Sequence, residues 1–267
     1  MTHGILQVEE ITMDFGGVRA VNHVSFHVKA GEVVALIGPN GAGKSTVLNM
    51  ISGVLTPTSG AISFENQALA QVQGYDYAPL GITRTFQNLQ TFDDMTVLEN
   101  VMVGFHSKTR AGLVSCGLKF GAARKEEKYM HDRAKELLEF VGIHALENQL
   151  AGSLSYGKLR LMEIARALAA EPKLLLLDEP AAGLNHSETA EMTKMFEHIR
   201  AQGTAILLVE HDMDMVMNVA ERIVVLDQGE KIAEGTPHEI QENPKVIAAY
   251  LGQEEETEEV QVMAGGV

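Results

Sequence analysis

The chain has 267 residues, enough to bury a sizeable core, and its apolar (45%) and charged (21%) contents are ordinary for a globular protein. Its net charge is −15, of which Glu254, Glu255, Glu256, Glu258 and Glu259 carry five, so the rest of the chain still carries −10. Such an acidic balance disfavours nucleic acids and anionic lipids as partners.

Membrane, secretion and disulfide signals are missing from the sequence. No apolar run approaches the roughly 20 residues that span a bilayer, and residues 1–4 show no basic segment followed by an apolar stretch. The single cysteine, Cys116, excludes an internal disulfide and fits a reducing compartment.

The first elements are predicted as strands. Residues 5–29 alternate loosely and break at Gly16-Gly17, which predicts short strands around a turn. The β-branched run 33–37 predicts a buried strand, residues 47–51 have helical spacing, and Ser59-Gly60 predicts a turn before extended residues 61–64.

A glycine-rich motif lies between the buried strand and the helix. Residues 38–46 read Gly-Pro-Asn-Gly-Ala-Gly-Lys-Ser-Thr and match the G-x-x-x-x-G-K-[ST] pattern in its required strand–turn–helix context. Glycines let consecutive backbone N–H groups point into one concavity, and the helix N-terminus adds partial positive charge. The motif predicts a phosphate site in which Lys44 reaches the β- and γ-phosphates and Ser45 offers its hydroxyl to Mg²⁺.

The rest of the chain alternates helices with strands. Residues 96–149 read as a helical insertion, and a helix is predicted from after Ser153 to about Ala170 with Leu161, Ala165 and Leu168 on one face. Residues 174–177 and 205–209 are buried strands, and residues 223–233 form a hairpin. This alternation predicts a largely parallel sheet with helices on both sides.

Two acidic residues follow the second buried strand. Phosphoryl transfer to water needs a phosphate cradle, a metal, an oriented water and neutralisation of the γ-phosphate charge. Asp178 stands where a second Mg²⁺-holding group belongs. Adjacent residues of an extended chain point in opposite directions, so Glu179 is predicted to act separately, as the general base.

Five further signals are weak when taken alone. Ser155 and Gly157 open a helix as an anion site would, His211 follows a buried strand, and Phe15 precedes the phosphate loop. Gln87 is a neutral amide at the start of the helical insertion. Each also fits a helix cap, polar surface or core packing.

The order of these signals resembles the nucleotide-binding subunit of ATP-binding-cassette (ABC) transporters, from about Leu6 to Gly252. The resemblance implies an α/β P-loop NTPase (RecA-like) fold with a mostly parallel sheet, an N-terminal antiparallel β subdomain and an inserted α-helical subdomain at about 88–160. It implies a domain over 1–252 and a disordered acidic tail over 253–267.

The resemblance also assigns roles to individual residues. It implies Glu179 and His211 as catalytic residues, and Ser45, Gln87 and Asp178 at Mg²⁺. The implied ATP-binding residues are Phe15, Val21, Asn40, Gly41, Ala42, Gly43, Lys44, Ser45, Thr46, Gln87, Ser155 and Gly157. Residues 154–158 match the signature motif, and residues 182–185 match the D-loop.

Within that family the chain is similar to the Liv-type ATPases of high-affinity branched-chain amino-acid importers. Residues 84–88, 95–101, 104–135 and 178–185 carry this similarity. ATPases of urea importers and lipopolysaccharide exporters are close relatives. Two positions depart from the common pattern of the wider family: Lys158 in the signature, and Asn185 at the end of the D-loop.

The resemblance implies a peripheral subunit at the cytoplasmic face of the inner (plasma) membrane. Its partners would be a second ATPase subunit, identical or a paralogue, and two separate permease subunits, with a solute-binding protein acting indirectly. Gln87 and residues 96–101 would form the docking surface, with Lys108, Arg110, Lys119, Arg124 and Lys125 near it.

Three alternative functions are disfavoured: an ABC protein that acts on DNA or ribosomes, a GTPase, and a non-catalytic clamp. The chain has no sustained heptads and no Asn-Lys-x-Asp motif, and it retains Glu179 and His211.

Overall fold

The computed structural model describes residues 4–85, 89–107 and 120–250. The chain divides into two compact units, which are described separately: residues 1–72 with 205–267, and residues 73–204. The insertion predicted at about 88–160 lies within the second range. Among the described residues, no helix is both long and apolar enough to cross a bilayer.

Strands and helices alternate in the described residues. The strands are β1 Leu6–Phe15, β2 Val18–Val28, β3 Val33–Ile37, β4 Ser59–Phe64, β5 Gln67–Ala68, β6 Ile82–Arg84, β7 Leu174–Asp178, β8 Ala205–Val209, β9 Arg222–Asp227 and β10 Glu230–Gly235. The helices are α1 Lys44–Ile51, α2 Tyr77–Leu80, α3 Val97–Val103, α4 Phe120–Phe140, α5 Tyr156–Ala169, α6 His186–Ala201, α7 Met213–Val219 and α8 Pro237–Gln241.

An antiparallel sheet in the first unit has the strand order β2-β1-β4-β5. Strands β1 and β2 form a hairpin around Gly16-Gly17, with Phe15 opposite Val18, which confirms the predicted strands and turn. Ser59 and Gly60 belong to β4 itself, and Ser59 pairs with Thr12 of β1, so the prediction of a turn at those residues was wrong. The glycine permits the strand to start there because its φ is 88° and a Cβ would lie 2.3 Å from the Glu10 carbonyl oxygen.

A parallel arrangement in the same unit supports the phosphate loop. Strand β3 lies between β8 and β9, parallel to both, and β10 pairs antiparallel with β9. All five residues of β3 and of β8 are buried, as their uninterrupted apolar sequences predict. The hairpin between β9 and β10 turns at Gln228 and Gly229, whose φ values of 46° and 83° fit a tight hairpin turn.

An arginine joins two carboxylates in this unit. Arg222 donates to both oxygens of Glu32 at 2.9 Å and pairs with Glu234. Burial would raise the pKa of both glutamates, but hydrogen bonds from Arg222 and, for Glu234, Lys231 outweigh it, so both pKa values lie below the ordinary 4.5. The cluster therefore stabilises the fold fully above that pH and progressively less as pH falls through the lowered values.

We expect Arg222→Met to reduce the free energy of unfolding by about 3 kcal/mol at pH 7, because two partly buried carboxylates lose their partner. The loss should be smaller at pH 4, where Glu32 and Glu234 can take up protons. Urea unfolding at both pH values measures this. Arg19→Met is the control, since its pair with Asp14 is exposed and its loss should change the free energy of unfolding much less. Equal losses at both pH values would show that the carboxylates do not control the effect.

The second unit contains a short parallel pair and three packed helices. Strand β6 is parallel to β7, and α3, α4 and α5 pack against one another. Leu137, Leu138 and Val141 are buried, as the predicted helical face requires. In α5, however, Leu161 and Leu168 are only half-buried, whereas the charged Arg160 and Glu163 are buried, paired at 2.9 Å. The predicted face of α5 is therefore confirmed at Ala165, which is fully buried, and wrong at Leu161 and Leu168.

A buried asparagine organises the start of α3. Asn100 is fully buried, accepts a hydrogen bond from the Phe92 N–H at 3.1 Å and donates to the carbonyl oxygens of Phe92 and Thr96 at 3.0 and 3.1 Å. Thr96 and Glu99 add a capping box at the helix N-terminus. This network fixes the segment 92–100, which includes most of the predicted docking surface.

Candidate functional site

The phosphate loop joins β3 to α1 in the first unit. Gly43 is the N-cap of α1, with a left-handed φ of 98° and no side-chain hydrogen bond to the helix end. A Cβ at Gly43 would lie 2.7 Å from the Ala20 carbonyl oxygen, so only glycine fits. Asn40, Gly41 and Ser45 are exposed. The first turn of α1 therefore presents its backbone N–H groups and the Ser45 side chain at an open loop, as an anion site requires.

Lys44 spans the loop. Its Nζ donates hydrogen bonds to the carbonyl oxygens of Gly38 at 2.7 Å and Pro39 at 2.8 Å. The ammonium group is thus held by the residues that begin the motif, and its positive charge lies at the loop where phosphate charge would be placed.

The loop is supported from behind by the turn of the β9–β10 hairpin. The Gly229 N–H donates to the Ala42 carbonyl oxygen at 3.1 Å, and the Asn22 N–H donates to the Gly229 carbonyl oxygen at 2.8 Å. Ala42 itself is buried. These backbone bonds connect the loop to β2 and to the hairpin, which limits how far it can move.

Phe15 and Val21, both implied to bind ATP, differ in exposure. Phe15, at the end of β1, is 46% exposed and available for stacking on a ring. Val21 is fully buried, and its Cγ2 would lie 3.3 Å from a Cβ at Gly43. Val21 therefore packs behind the phosphate loop, and its side chain has no surface to offer a ligand in this conformation.

His211 lies in the loop that follows β8. Its side chain is 65% exposed, with Nδ1 3.8 Å from a carboxylate oxygen of Glu210. The Glu210 side chain is buried and accepts the backbone N–H groups of His211 at 2.9 Å and Asp212 at 3.2 Å. Glu210, which the sequence reasoning missed, thereby fixes the backbone that carries His211.

Asp178 ends β7 in the second unit. Its carboxylate is buried, and Oδ2 accepts a hydrogen bond from an Arg84 nitrogen at 2.8 Å. The other oxygen, Oδ1, is buried and has no hydrogen-bond partner among the described residues. A carboxylate oxygen left in this state suits a hard cation or its bound water. The Arg84 pair was not foreseen, because an ion pair between residues 94 positions apart gives no local pattern.

Glu179 does not continue the strand. Its φ is 48°, a left-handed value that a residue other than glycine adopts at a cost, and its side chain is half-buried. The argument that Asp178 and Glu179 point in opposite directions along an extended chain was therefore wrong in its geometry. The chain turns at Glu179 instead, and the Ala182 N–H closes this turn by donating to the Glu179 carbonyl oxygen at 3.1 Å.

Ser155 is the N-cap of α5. It is exposed, and its hydroxyl caps no backbone N–H of the helix. Behind it, Arg160 donates to the Tyr156 hydroxyl at 3.0 Å, and its guanidinium carbon lies 5.6 Å from the centre of the Tyr156 ring. The buried Arg160–Glu163 pair thus positions Tyr156 and leaves the Ser155 hydroxyl available.

The segment 182–185 packs against this helix start within the same unit. A Cβ at Gly183 would lie 3.4 Å from the Tyr156 ring, and a Cβ at Gly157 would lie 3.0 Å from Glu188 Oε1. Asn185 accepts the N–H groups of Ser187 and Glu188, while Glu188 accepts the Asn185 N–H. Asn185 is therefore an N-cap of α6, a role that asparagine and aspartate fill equally well.

Several predicted residues lie outside the described part of the chain. These are Gln87, Cys116, the basic residues Lys108, Arg110 and Lys119, and the acidic tail 253–267. Two further basic residues of the predicted set, Arg124 and Lys125, lie in α4 and are exposed.

Two family models match the chain. The model for the ABC transporter family matches residues 21–182, and the model for the branched-chain amino acid ATP-binding cassette transporter matches residues 230–256.

Individual relatives extend this match over nearly the whole chain. The high-affinity branched-chain amino acid transport ATP-binding protein LivG of Salmonella typhimurium is 45% identical over 95% of this chain and 100% of its own. A crystal structure of an ABC-transporter ATP-binding cassette in its ADP conformation has a TM-score of 0.82 and 36% identity, covering 94% of this chain and 100% of its own. A dimeric cassette in a post-hydrolysis state with ADP and Pi has a TM-score of 0.74 and 26% identity, over 87% and 98%. The chain belongs to the ATP-binding subunits of ABC transporters.

Proposed function

We propose that this chain is the ATP-hydrolysing subunit of an importer of branched-chain amino acids. The observation that carries the substrate assignment is the match to LivG along that protein's whole length, together with the branched-chain family model over 230–256. The P-loop NTPase geometry of residues 38–46 supports ATP as the energy source, since it presents Lys44 and the free end of α1 to phosphate.

We propose that each ATP is bound by two surfaces, one from each of two neighbouring subunits. The phosphate-binding surface comprises residues 40–46, with Phe15 stacked on the purine ring, Val21 as a further ATP-binding residue and Gln87 at Mg²⁺ or its water. Because Val21 is fully buried, its contribution would be to support the loop. Ser155 and Gly157 would contact the ATP bound by a second subunit, which accounts for the uncapped, exposed Ser155 hydroxyl. The dimeric relative supports an arrangement with two subunits.

Hydrolysis would use two residues. Glu179 would take a proton from the attacking water, and His211 would contact the γ-phosphate. The left-handed backbone at Glu179 supports this role, because strain at a half-buried carboxylate is retained where a side chain has to be aimed. The exposed imidazole of His211, on a backbone fixed by Glu210, is in keeping with contact to a ligand.

We propose that Asp178, Ser45 and Gln87 would hold Mg²⁺, because each offers an oxygen donor of the kind this cation prefers. Asp178 Oδ1 is a buried carboxylate oxygen without a partner among the described residues, and the Ser45 hydroxyl is exposed at the start of α1. Gln87 would be a third, amide donor. When bound, the cation would neutralise charge on the β- and γ-phosphates.

We propose further that residues 1–252 form the nucleotide-binding domain and that 253–267 are a separate acidic tail. Its partners would be a second ATPase subunit, two permease subunits that contact Gln87 and residues 96–101, and indirectly a solute-binding protein. The subunit would then lie at the cytoplasmic face of the inner membrane. The rigid Asn100 network gives the docking segment the fixed shape that a subunit interface needs.

Reconstitution tests the substrate. The chain would be purified from its host's membranes with its permease partners, placed in proteoliposomes with ATP inside, and supplied with the solute-binding protein and labelled leucine, isoleucine or valine. We expect ATP-dependent uptake that unlabelled leucine competes with and urea does not. A preparation with the Glu179→Gln subunit is the matched control. Uptake of urea, or export of lipopolysaccharide, in place of amino-acid uptake would contradict the proposal.

A further inference from the structure

A cavity of about 220 Å³ lies between α5 and α6 in the second unit. The residues of α6 that line it share one helix face, because they are three or four positions apart: Glu188, Glu191, Met192 and Met195. The first two turns of α5 and residues 140–142 form the other walls. Drug-sized ligands occupy pockets of roughly 300 to 1,000 Å³, so this smaller cavity suits a compact metabolite.

One part of the cavity is apolar. Met192 and Met195 are 1% and 6% exposed, and Val141, just after α4, is 6% exposed. Methionine side chains adapt to the shape of an apolar guest. Leu161 is only half-buried although its spacing predicts a core position, and the cavity that it lines accounts for this exposure. A short alkyl chain placed among these residues would bury its apolar surface.

Three charged side chains line the same cavity. Glu188 accepts the Asn185 N–H at 3.0 Å through Oε2, whereas Oε1 makes no hydrogen bond within the described residues. Oε1 lies beside the start of α5, since a Cβ built on Gly157 would be 3.0 Å from it. Lys158 is half-buried and Glu191 is exposed, and neither forms an ion pair with any residue that the structure describes. The cavity therefore offers one ammonium group and two carboxylates next to apolar side chains.

We propose that this cavity binds an apolar α-amino acid. The ammonium group of the ligand binds the Glu188 and Glu191 carboxylates, its carboxylate binds the Lys158 ammonium, and its alkyl side chain fills the space beside Met192 and Met195. An inorganic anion would leave the apolar part of the cavity unused. A pure hydrocarbon would take water away from three charged groups and give them no partner.

The bound amino acid also weakens the use of ATP, and this second half of the proposal rests on the proposed ATP site between two subunits. Lys158 follows Gly157, which would contact the ATP of the second subunit. The charge of Lys158 attracts the phosphates there, and a carboxylate paired with Lys158 cancels part of that attraction. The KM for ATP therefore rises, by about two- to fivefold, because a half-buried charge is partly screened by salt. An importer of such amino acids would slow as its product accumulates.

Calorimetry of the full chain with L-leucine, in the absence of nucleotide, tests binding. We expect a Kd on the order of 1 mM or lower, within the range that so small a ligand can reach. 4-Methylpentanoate lacks the amino group and 3-methylbutylamine lacks the carboxylate, so each should bind at least about fivefold more weakly. An amine that binds as tightly as L-leucine, or no binding of L-leucine at about ten times that concentration, would overturn the proposal.

Variants test whether the cavity is the site. Leu161→Phe fills part of it and should weaken L-leucine binding at least about tenfold. Leu168→Phe is the matched control, since Leu168 is half-buried on the same helix but does not line this cavity, and it should bind L-leucine normally. Lys158→Met should weaken L-leucine binding and leave 3-methylbutylamine binding unchanged. Thermal unfolding confirms that each variant is folded. Equal L-leucine binding by the two phenylalanine variants would show that the ligand binds elsewhere.

Steady-state ATP hydrolysis with and without L-leucine tests the effect on ATP. The wild-type chain should show the rise in KM with kcat within about twofold, and Leu161→Phe should show no response to L-leucine. Binding of L-leucine without a change in KM would overturn the effect on ATP while the binding site stands. Absence of hydrolysis when no L-leucine is added would overturn the proposed function instead, and calorimetry would still decide the binding site.

Discussion

Glu179→Gln is expected to reduce ATP hydrolysis by about 10² to 10⁴-fold, the range for loss of a general base. The amide has nearly the shape of the carboxylate, so the turn at Glu179, with its φ of 48°, should be kept. What is lost is the ability to take a proton from water. Nucleotide binding should persist because the phosphate loop and Lys44 are unchanged. Slowed hydrolysis should also let ATP-bound dimers accumulate.

The measurement combines phosphate release with size-exclusion chromatography in Mg-ATP. Glu171→Gln is a matched control, since Glu171 also has a left-handed φ, 51°, in the same unit but is exposed and bonds to Tyr129. It should hydrolyse ATP normally. If Glu179→Gln hydrolysed ATP at the wild-type rate, the assignment of the base would be wrong.

The buried strands were the easiest part of the fold to predict. Strands β3, β7 and β8 each bury every residue, so runs of four or five consecutive apolar side chains were sufficient evidence. The interior of α5 was not predictable in this way. Arg160 and Glu163 are buried there because they neutralise each other, and a sequence pattern assigns charged residues to the surface.

In the candidate site, too, some features were predictable from the sequence and others were not. The phosphate loop was recognisable because its chemistry uses the backbone and therefore demands glycines at fixed spacing. Asp178 and Glu179 were predicted from their place after a buried strand, but the backbone turn at Glu179 was not foreseen. Arg84 and Glu210 contribute through contacts that only the folded chain brings about, and neither residue belongs to a recognised motif.

Lys44→Ala is expected to weaken ATP binding itself, by about 10- to 100-fold. That is the range for loss of one hydrogen bond from a charged group. The ammonium group already lies on the loop, bonded to the Gly38 and Pro39 carbonyl oxygens, so little rearrangement separates it from a bound phosphate. Lys44→Arg should be intermediate, because the charge is kept but the planar guanidinium does not reproduce a compact point charge.

Calorimetric titration with Mg-ADP and Mg-ATP measures this effect, and the comparison with Glu179→Gln separates loss of binding from loss of hydrolysis. Lys44→Ala should bind poorly, whereas Glu179→Gln should bind well and fail to turn over. Lys245→Ala is the control, since it removes an equal charge from an exposed position and should leave Kd unchanged. A wild-type Kd in Lys44→Ala would mean that the residues 38–46 do not hold the phosphates, and the assignment of every other residue around that loop would then lose its basis.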